Sequence, residues 1–333
     1  MKKRDLAIGI GGAIGAAVAV KMLTRAKAVK WEDVHELIPH AENSHFVHVD
    51  GASIHYQEFG DPAKPTLILV HGYTASLYVW RKSAPKLAAQ GFHIIALDLL
   101  GFGYSEKPSW FEYSITSQAR MISRFMNRLG IGRATIVGSS YGGAVAATLA
   151  LDYPERVEKL VLVDAVSNDD AKNHPILRLA SVPGLGELIT PFIADSKAFL
   201  RLRMHGTLAR ANHHLIDDDR VNSVIRPLRA ADAHHSLLTT SRNWHADRIE
   251  QDAHLIKQPT LIIWGEEDTV IPIKDGYRLN DEIPNSRFVI LRSCGHVPHE
   301  EKAEIFTDLV MEFCREGKAR VEAKKSDDVL LEV

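Results

Sequence analysis

Six short apolar runs constrain this chain more than any other feature. They are Thr66-Leu67-Ile68-Leu69-Val70, Ile94-Ile95-Ala96-Leu97, Ala134-Thr135-Ile136-Val137, Leu160-Val161-Leu162-Val163, Leu261-Ile262-Ile263-Trp264 and Phe288-Val289-Ile290-Leu291. A run so short and so uniformly apolar suits a strand buried on both faces. Helical patterns separate most of them, such as Tyr113 to Leu129 and Ala144 to Leu151. Strands alternating with helices predict an α/β fold, with a mostly parallel central sheet and helices on both faces. Ahead of the first run, Phe46-Val47-His48-Val49 and Ile54-His55-Tyr56 flank Asp50-Gly51, which reads as a hairpin.

One interval breaks the rhythm. Between Val166 and about Ile256 no buried strand is legible, so residues 166–256 are expected to form an inserted helical cap, with the core in 31–165 and 257–317. Inside the interval, Ile176, Leu177, Leu179, Val182, Leu185, Leu188, Ile189, Phe192 and Ile193 make an apolar stretch. It suits an acyl pocket and cap-to-core packing equally well. Residues 318–333 form a charged tail ending in Leu330-Leu331, expected to be a frayed helix or disorder. A formal charge of −2 over 333 residues gives no reason to expect a nucleic-acid partner. The two cysteines, Cys294 and Cys314, are too few for a disulfide framework or a four-cysteine zinc site.

The first thirty residues stand apart. Lys2, Lys3 and Arg4 precede an uncharged Gly/Ala-rich run from Leu6 to Val20. Fifteen helical residues span roughly 22 Å against ~30 Å of hydrocarbon, and letting Lys21 snorkel carries the segment to Thr24. Arg25, Lys27 and Lys30 add a second basic flank. Residues 1–30 are therefore expected to be a membrane anchor built on a transmembrane helix. A signal peptide with its cleavage site at Ala17-Val18-Ala19, and hence an exported protein, is the alternative. Positive charge on both sides leaves the orientation open.

Chemistry is concentrated in three places. Gly138-Ser139-Ser140-Tyr141-Gly142 follows one strand and precedes a helix, the setting that the G-x-S-x-G turn requires. That turn crowds its serine, so the residues two positions away must lack a Cβ, as Gly138 and Gly142 do. Choosing Ser139 instead would put Val137 and Tyr141 where glycine is needed. A serine hydroxyl needs a base to take its proton and an acid to orient that base. Asp268 follows the strand ending at Trp264, and His296 follows the strand ending at Leu291. The expected catalytic set is Ser140, Asp268 and His296. Glu266, Glu267 and Asp164 are weaker candidates for the acid, and His299 for the base. The adjacent pairs His213-His214 and His234-His235 lack the i, i+4 spacing of a helical zinc site, and no metal is expected there or at His205 and His245.

With these residues in place the chain resembles the α/β-hydrolase superfamily from roughly His45 to Arg315, the cap excluded. His71-Gly72-Tyr73, Asp98 to Ser105 and Gly295-His296 look like that family's local motifs. The resemblance implies an oxyanion hole made by the backbone N–H groups of Tyr73 and Tyr141, with the Asp98 to Ser105 loop as a buttress. It implies no cofactor. Within the superfamily the chain looks most like capped esterases and lipases, including membrane-anchored members resembling monoacylglycerol lipases. The expected activity is hydrolysis of carboxylic esters, lipid-like ones included, through an acyl-enzyme. A carbon–carbon bond hydrolase of the meta-cleavage type uses the same three residues and is the alternative. A non-catalytic binding module would leave the set broken. Ser140 excludes the relatives that need a carboxylate at that position, haloalkane dehalogenases and epoxide hydrolases.

Overall fold

Every one of the six apolar runs becomes a strand of a single sheet. The computed structural model describes residues 15, 29–170, 175–316 and 329–332. Its nine strands are β1 (Ser44–Val49), β2 (Ala52–Phe59), β3 (Thr66–Val70), β4 (His93–Leu97), β5 (Ala134–Ser139), β6 (Val157–Val163), β7 (Thr260–Gly265), β8 (Ser286–Leu291) and β9 (Val329–Glu332). They lie in the order β1-β2-β4-β3-β5-β6-β7-β8-β9. All pairings from β4 to β8 are parallel, while β1–β2, β2–β4 and β8–β9 are antiparallel. The β1–β2 hairpin turns at Asp50 and Gly51, both at positive φ, which is the backbone a two-residue turn of the right twist demands.

The unbroken apolar runs follow from burial on both sides. Ile68, Val70, Ile136, Leu160, Leu162 and Ile262 pack against α3 (Ile115–Arg128), α4 (Tyr141–Asp152) and α11 (Ile273–Glu282). Alternate residues Leu67, Leu69, Val137, Val161, Val163 and Ile263 pack on the other face against α2 (Ser83–Ala89) and α13 (Ala303–Glu316). A short α1 (Trp31–Val34) precedes the sheet, and Ser114 caps α3 by accepting the Ser117 amide at 3.1 Å.

Between β6 and β7 the described residues hold helices and no strand. These are α5 (Pro175–Ser181), α6 (Leu185–Ala194), α7 (Lys197–Thr207), α8 (Asp218–Leu228), α9 (Ala233–Arg242) and α10 (Asp247–Asp252). The insertion has a small core of its own in Leu200, Met204, Leu208, Ile216, Val221 and Ile225. The apolar stretch that opens it behaves otherwise than expected. Leu179, Val182, Leu185, Leu188 and Phe192 are exposed, and in α6 it is Gly186 and Thr190 that are buried.

Two further expectations are corrected. The tail does not end frayed. Residues Val329–Glu332 pair with β8 through Val289↔Glu332, Ile290↔Leu331 and Leu291↔Val329, covering an edge that would otherwise present unpaired backbone groups. The transmembrane expectation fails as well, because no helix among the described residues is long and apolar enough to cross a membrane. The run Leu6 to Val20, on which that expectation rested, lies outside the described residues except for Gly15. Its fifteen uncharged residues are too few to cross ~30 Å as a helix without recruiting Lys21.

Chain order places the site. From β3 the chain moves to β4 on one side and then returns across β3 to β5 on the other. Such a switch opens a crevice at the carboxyl ends of the strands. Tyr73 follows β3 and Ser140 follows β5, so the switch sets both at the same crevice.

Candidate active site

Ser140 stands on the sharp bend between β5 and α4 with φ 54° and ψ −120°. That backbone is costly for a residue with a Cβ and persists only where its surroundings dictate it. Here they do. The Ser140 amide donates to the Val163 carbonyl at 2.9 Å, and the Ser140 carbonyl accepts the amides of Gly143 at 2.9 Å and Val166 at 3.0 Å. A Cβ on Gly138 would strike the Gly142 carbonyl, and one on Gly142 would meet the Val70 and His71 carbonyls. Gly143 is a third requirement, which sequence reasoning missed: its Cβ would lie 2.5 Å from that of Ala165. Ser139 is a buried strand residue paired with Val163.

His296 completes a relay. Its Nε2 lies 2.9 Å from Ser140 Oγ and its Nδ1 lies 2.8 Å from Asp268 Oδ2. The tautomer that fits has Nδ1–H donating to the carboxylate and Nε2 accepting from the serine hydroxyl. Asp268 is fixed in turn, its Oδ1 accepting the amides of Val270 at 2.7 Å and Ile271 at 3.1 Å in an Asx turn. The Asp268 side chain is fully buried and that of His296 nearly so. Glu266 and Glu267 are exposed. His299 is packed on Trp80 with ring centroids 4.3 Å apart, and burial above all holds its imidazole down at about 3. The insertion reaches this loop, since the His296 amide donates to the Thr207 carbonyl at 2.9 Å.

Tyr73 and Tyr141 flank Ser140. Tyr141 is the first residue of α4, where helical amides have no intrahelical acceptor. Gly72 passes so close that its Cβ would lie 3.1 Å from that of Ser140. The peptide joining Gly72 to Tyr73 is held by His71. Leu99 N–H donates to His71 Nε2 at 3.0 Å, which leaves Nδ1 as the protonated nitrogen donating to the Gly72 carbonyl at 2.8 Å. Burial, outweighing the nearby Asp98, keeps the His71 pKa below its ordinary value, in accord with a neutral ring. Since the Gly72 carbonyl and the Tyr73 N–H belong to one peptide, that bond also aims the N–H.

The Asp98 loop does buttress this region. Buried Asp98 accepts from His55 Nδ1 at 2.7 Å, the Leu77 amide at 2.7 Å and the Tyr104 amide at 2.8 Å. Phe102 packs edge-on against Tyr73 and at a tilt against Tyr141, with centroids 6.0 and 6.2 Å away. Trp244, from the insertion, closes the aromatic group at 5.5 and 5.0 Å from the same two rings. The Tyr73 hydroxyl donates to the Leu237 carbonyl at 3.0 Å and lies 2.8 Å from Ser241 Oγ, and burial pushes its pKa up to about 12. His55 and Trp244 carried no motif that would have singled them out in the sequence.

Two groups among the described residues have the proximity a metal would need: Asp164 with Asp268 and His296, and Asp169 with His245 and Asp247. In the first, His296 and Asp268 already satisfy one another through the relay. The second is a mostly exposed cluster.

Comparison with known proteins bears on what this arrangement does. A profile described as the alpha/beta hydrolase fold matches residues 65–303. A 2-hydroxymuconate semialdehyde hydrolase of Pseudomonas putida is 32% identical over 279 residues, covering 80% of this chain and 92% of that protein. A solved meta-cleavage product hydrolase from Pseudomonas fluorescens aligns with a TM-score of 0.69 at 26% identity, over 83% of this chain and 98% of that one. A solved membrane phospholipase A aligns with the same TM-score of 0.69 at 25% identity, over 94% of this chain and 98% of that one.

Proposed function

The chain belongs to the α/β-hydrolase family, and from that premise we propose that it is a serine hydrolase cutting a carbon–carbon bond beside a carbonyl, in a small molecule of the meta-cleavage product class. The observation that carries the chemistry is the unbroken relay from Asp268 through His296 to Ser140, at 2.8 and 2.9 Å. His296 takes the hydroxyl proton as Ser140 Oγ attacks the carbonyl carbon. The amides of Tyr73 and Tyr141 receive the oxyanion, and Asp268 stabilises the imidazolium. Collapse breaks the bond to the leaving carbon, which departs with the electron pair and takes the proton from His296. Water, activated by His296, then hydrolyses the acyl-enzyme. Ser140, His296 and water balance the cycle without a cofactor.

The leaving group separates this reaction from ester hydrolysis. An ester's leaving oxygen carries the charge itself and takes its proton from the histidine, whereas a carbon leaving group departs only when conjugation spreads its charge. The hydrolases of Pseudomonas putida and Pseudomonas fluorescens act, by their names, on 2-hydroxymuconate semialdehyde and on a meta-cleavage product. They favour carbon–carbon cleavage over the ester hydrolysis expected from the sequence. Esters remain the second reading, supported by the likeness to a phospholipase A over 94% of the chain. Residues 166–256 serve as a cap over the core formed by 31–165 and 257–317. This assignment is supported by contacts of Thr207, Leu237 and Ser241 with His296 and Tyr73.

Competition between substrates tests the proposal. Purified protein is assayed on 2-hydroxymuconate semialdehyde, followed by loss of dienone absorbance, and on p-nitrophenyl esters of graded length. A kcat/KM on the dienone well above that on any ester is expected. Turnover of esters alone would overturn the carbon–carbon reading in favour of an esterase, and a Ser140 that reacts with no fluorophosphonate would overturn both.

A further inference from the structure

A second buried carboxyl group lies against the relay. Asp164 directly follows β6, the strand beside β7, with a left-handed φ of 42°. Its amide donates to the Ile263 carbonyl at 3.0 Å, and its Oδ1 accepts the Gly265 amide at 2.9 Å. Asp164 is fully buried, and among the described residues no N–H or O–H group donates to its Oδ2. One carboxylate oxygen each from Asp164 and Asp268 and a ring nitrogen of His296 all lie within 4.8 Å of one another.

Two carboxyl groups so close and so dry do not both ionise. Which of them keeps its charge follows from the donors each receives. Asp268 takes N–H groups from Val270, Ile271 and His296, whereas the bond to Asp164 comes from Gly265. The charge therefore belongs on Asp268 and the proton on Asp164. Burial first, and then the charge of Asp268, hold the Asp164 carboxyl well above the usual carboxylate range. Of the remaining ionisable neighbours, Glu301 on α12 (Pro298–Glu301) pushes in the same direction. Cys294, on the loop before His296, is itself held in its thiol form by burial.

We propose that Asp164 is a positioning residue of the triad, a neutral carboxylic acid whose Oδ2–H donates to the Asp268 carboxylate. It steadies Asp268 opposite His296 and keeps one negative charge, instead of two, behind the imidazole. A second charge there would stabilise the imidazolium and leave less of His296 unprotonated to take the serine proton. The inference rests on the serine-hydrolase reading above and adds a residue to it.

Full-length protein and its Asp164→Asn variant decide the matter. Asparagine keeps an acceptor for Gly265 and a donor for Asp268, and it is neutral at every pH. Infrared spectroscopy at neutral pH should show a protonated-carboxyl band in the wild type that Asp164→Asn lacks. The pH dependence of fluorophosphonate labelling should place the acidic limb within about 0.3 unit in both proteins, because one neutral group replaces another. Were Asp164 ionised, removing its charge about 5 Å from the imidazole would lower that limb by about 2 units at an effective dielectric near 20. Such a drop, or the absence of the infrared band, would overturn the proposal. Asp164→Leu removes the donor, and its limb should move upward, with slower labelling that Asn restores. The infrared band is read without catalysis, so an unlabelled wild type showing the band would defeat the hydrolase reading and leave the carboxyl pair standing.

Discussion

Gly142→Ala tests whether packing beneath Ser140 sets the geometry of the proposed oxyanion site. The added methyl would lie 2.5 Å from the His71 carbonyl oxygen and nearer still to that of Val70, where ordinary contact begins at about 3.4 Å. At His71 alone the backbones must part by roughly 0.9 Å. Neither carbonyl can yield alone, because Val70 is paired with Leu97 in β4 and Gly138 in β5, and His71 is held on both ring nitrogens. The start of α4 must therefore tilt away from the end of β3, separating the Tyr141 amide from the Tyr73 amide. A displacement of about 1 Å in catalytic geometry costs on the order of 10²-fold. In the proposed mechanism these amides act on the oxyanion more than on the ground state, so the loss should fall on kcat with KM little changed. Overpacking should also cost about 1–3 kcal/mol of stability. The assay is steady-state turnover per labelled active site, with a urea melt alongside. Gly132→Ala, whose Cβ would meet nothing within 4 Å, is the control and should change neither quantity. A Gly142→Ala enzyme within about threefold of wild-type kcat would refute the reasoning.

The other outcomes concern the relay and its support. Ser140→Ala should abolish fluorophosphonate labelling and leave the urea midpoint close to wild type, and a labelled variant would require another nucleophile. Asp268→Asn should lower kcat by about 10³- to 10⁴-fold, since an amide favours the wrong imidazole tautomer at His296; stopped-flow turnover measures it, and a loss below tenfold would remove Asp268 from its role. Asp98→Ala should cost about 3–5 kcal/mol in urea unfolding, because His55 and the amides of Leu77 and Tyr104 lose a buried acceptor together. Burial works to raise the Asp98 pKa, but bonds and charge from His55, with His71 and the Leu77 amide, outweigh it and hold the carboxyl below its ordinary value. A depressed carboxyl contributes stability above its unfolded pKa and loses it as pH falls through the folded one. The urea midpoint should therefore drop in acid, and Asp98→Asn should flatten that drop.

What the sequence could express was local. The strands were legible because burial on both faces leaves an unbroken apolar run, and the hairpin because Asp50-Gly51 tolerates positive φ at both positions. Ser140 was legible because its bend excludes Cβ atoms at Gly138 and Gly142. Features that depend on how distant segments meet left no such mark. Four residues beyond a charged stretch carry no period from which β9 could be inferred, and its place follows only from the free edge of β8. The outward turn of Leu179, Leu185 and Phe192 is a matter of how the insertion docks, which an apolar stretch does not encode. The acid shows the limit most clearly. Asp164 and Asp268 follow neighbouring parallel strands paired through Val163 and Ile263, and such strands lie roughly 4.8 Å apart. Each is therefore near enough to touch the other, and the sequence poses a choice between them. The Asx turn at Val270 and Ile271 gives Asp268 the donors that stabilise a charge, while Asp164 has the Gly265 amide and deep burial. The same proximity that makes them rivals on paper lets them divide one proton, so that the carboxyl unfit to serve His296 directly is suited to hold the one that does.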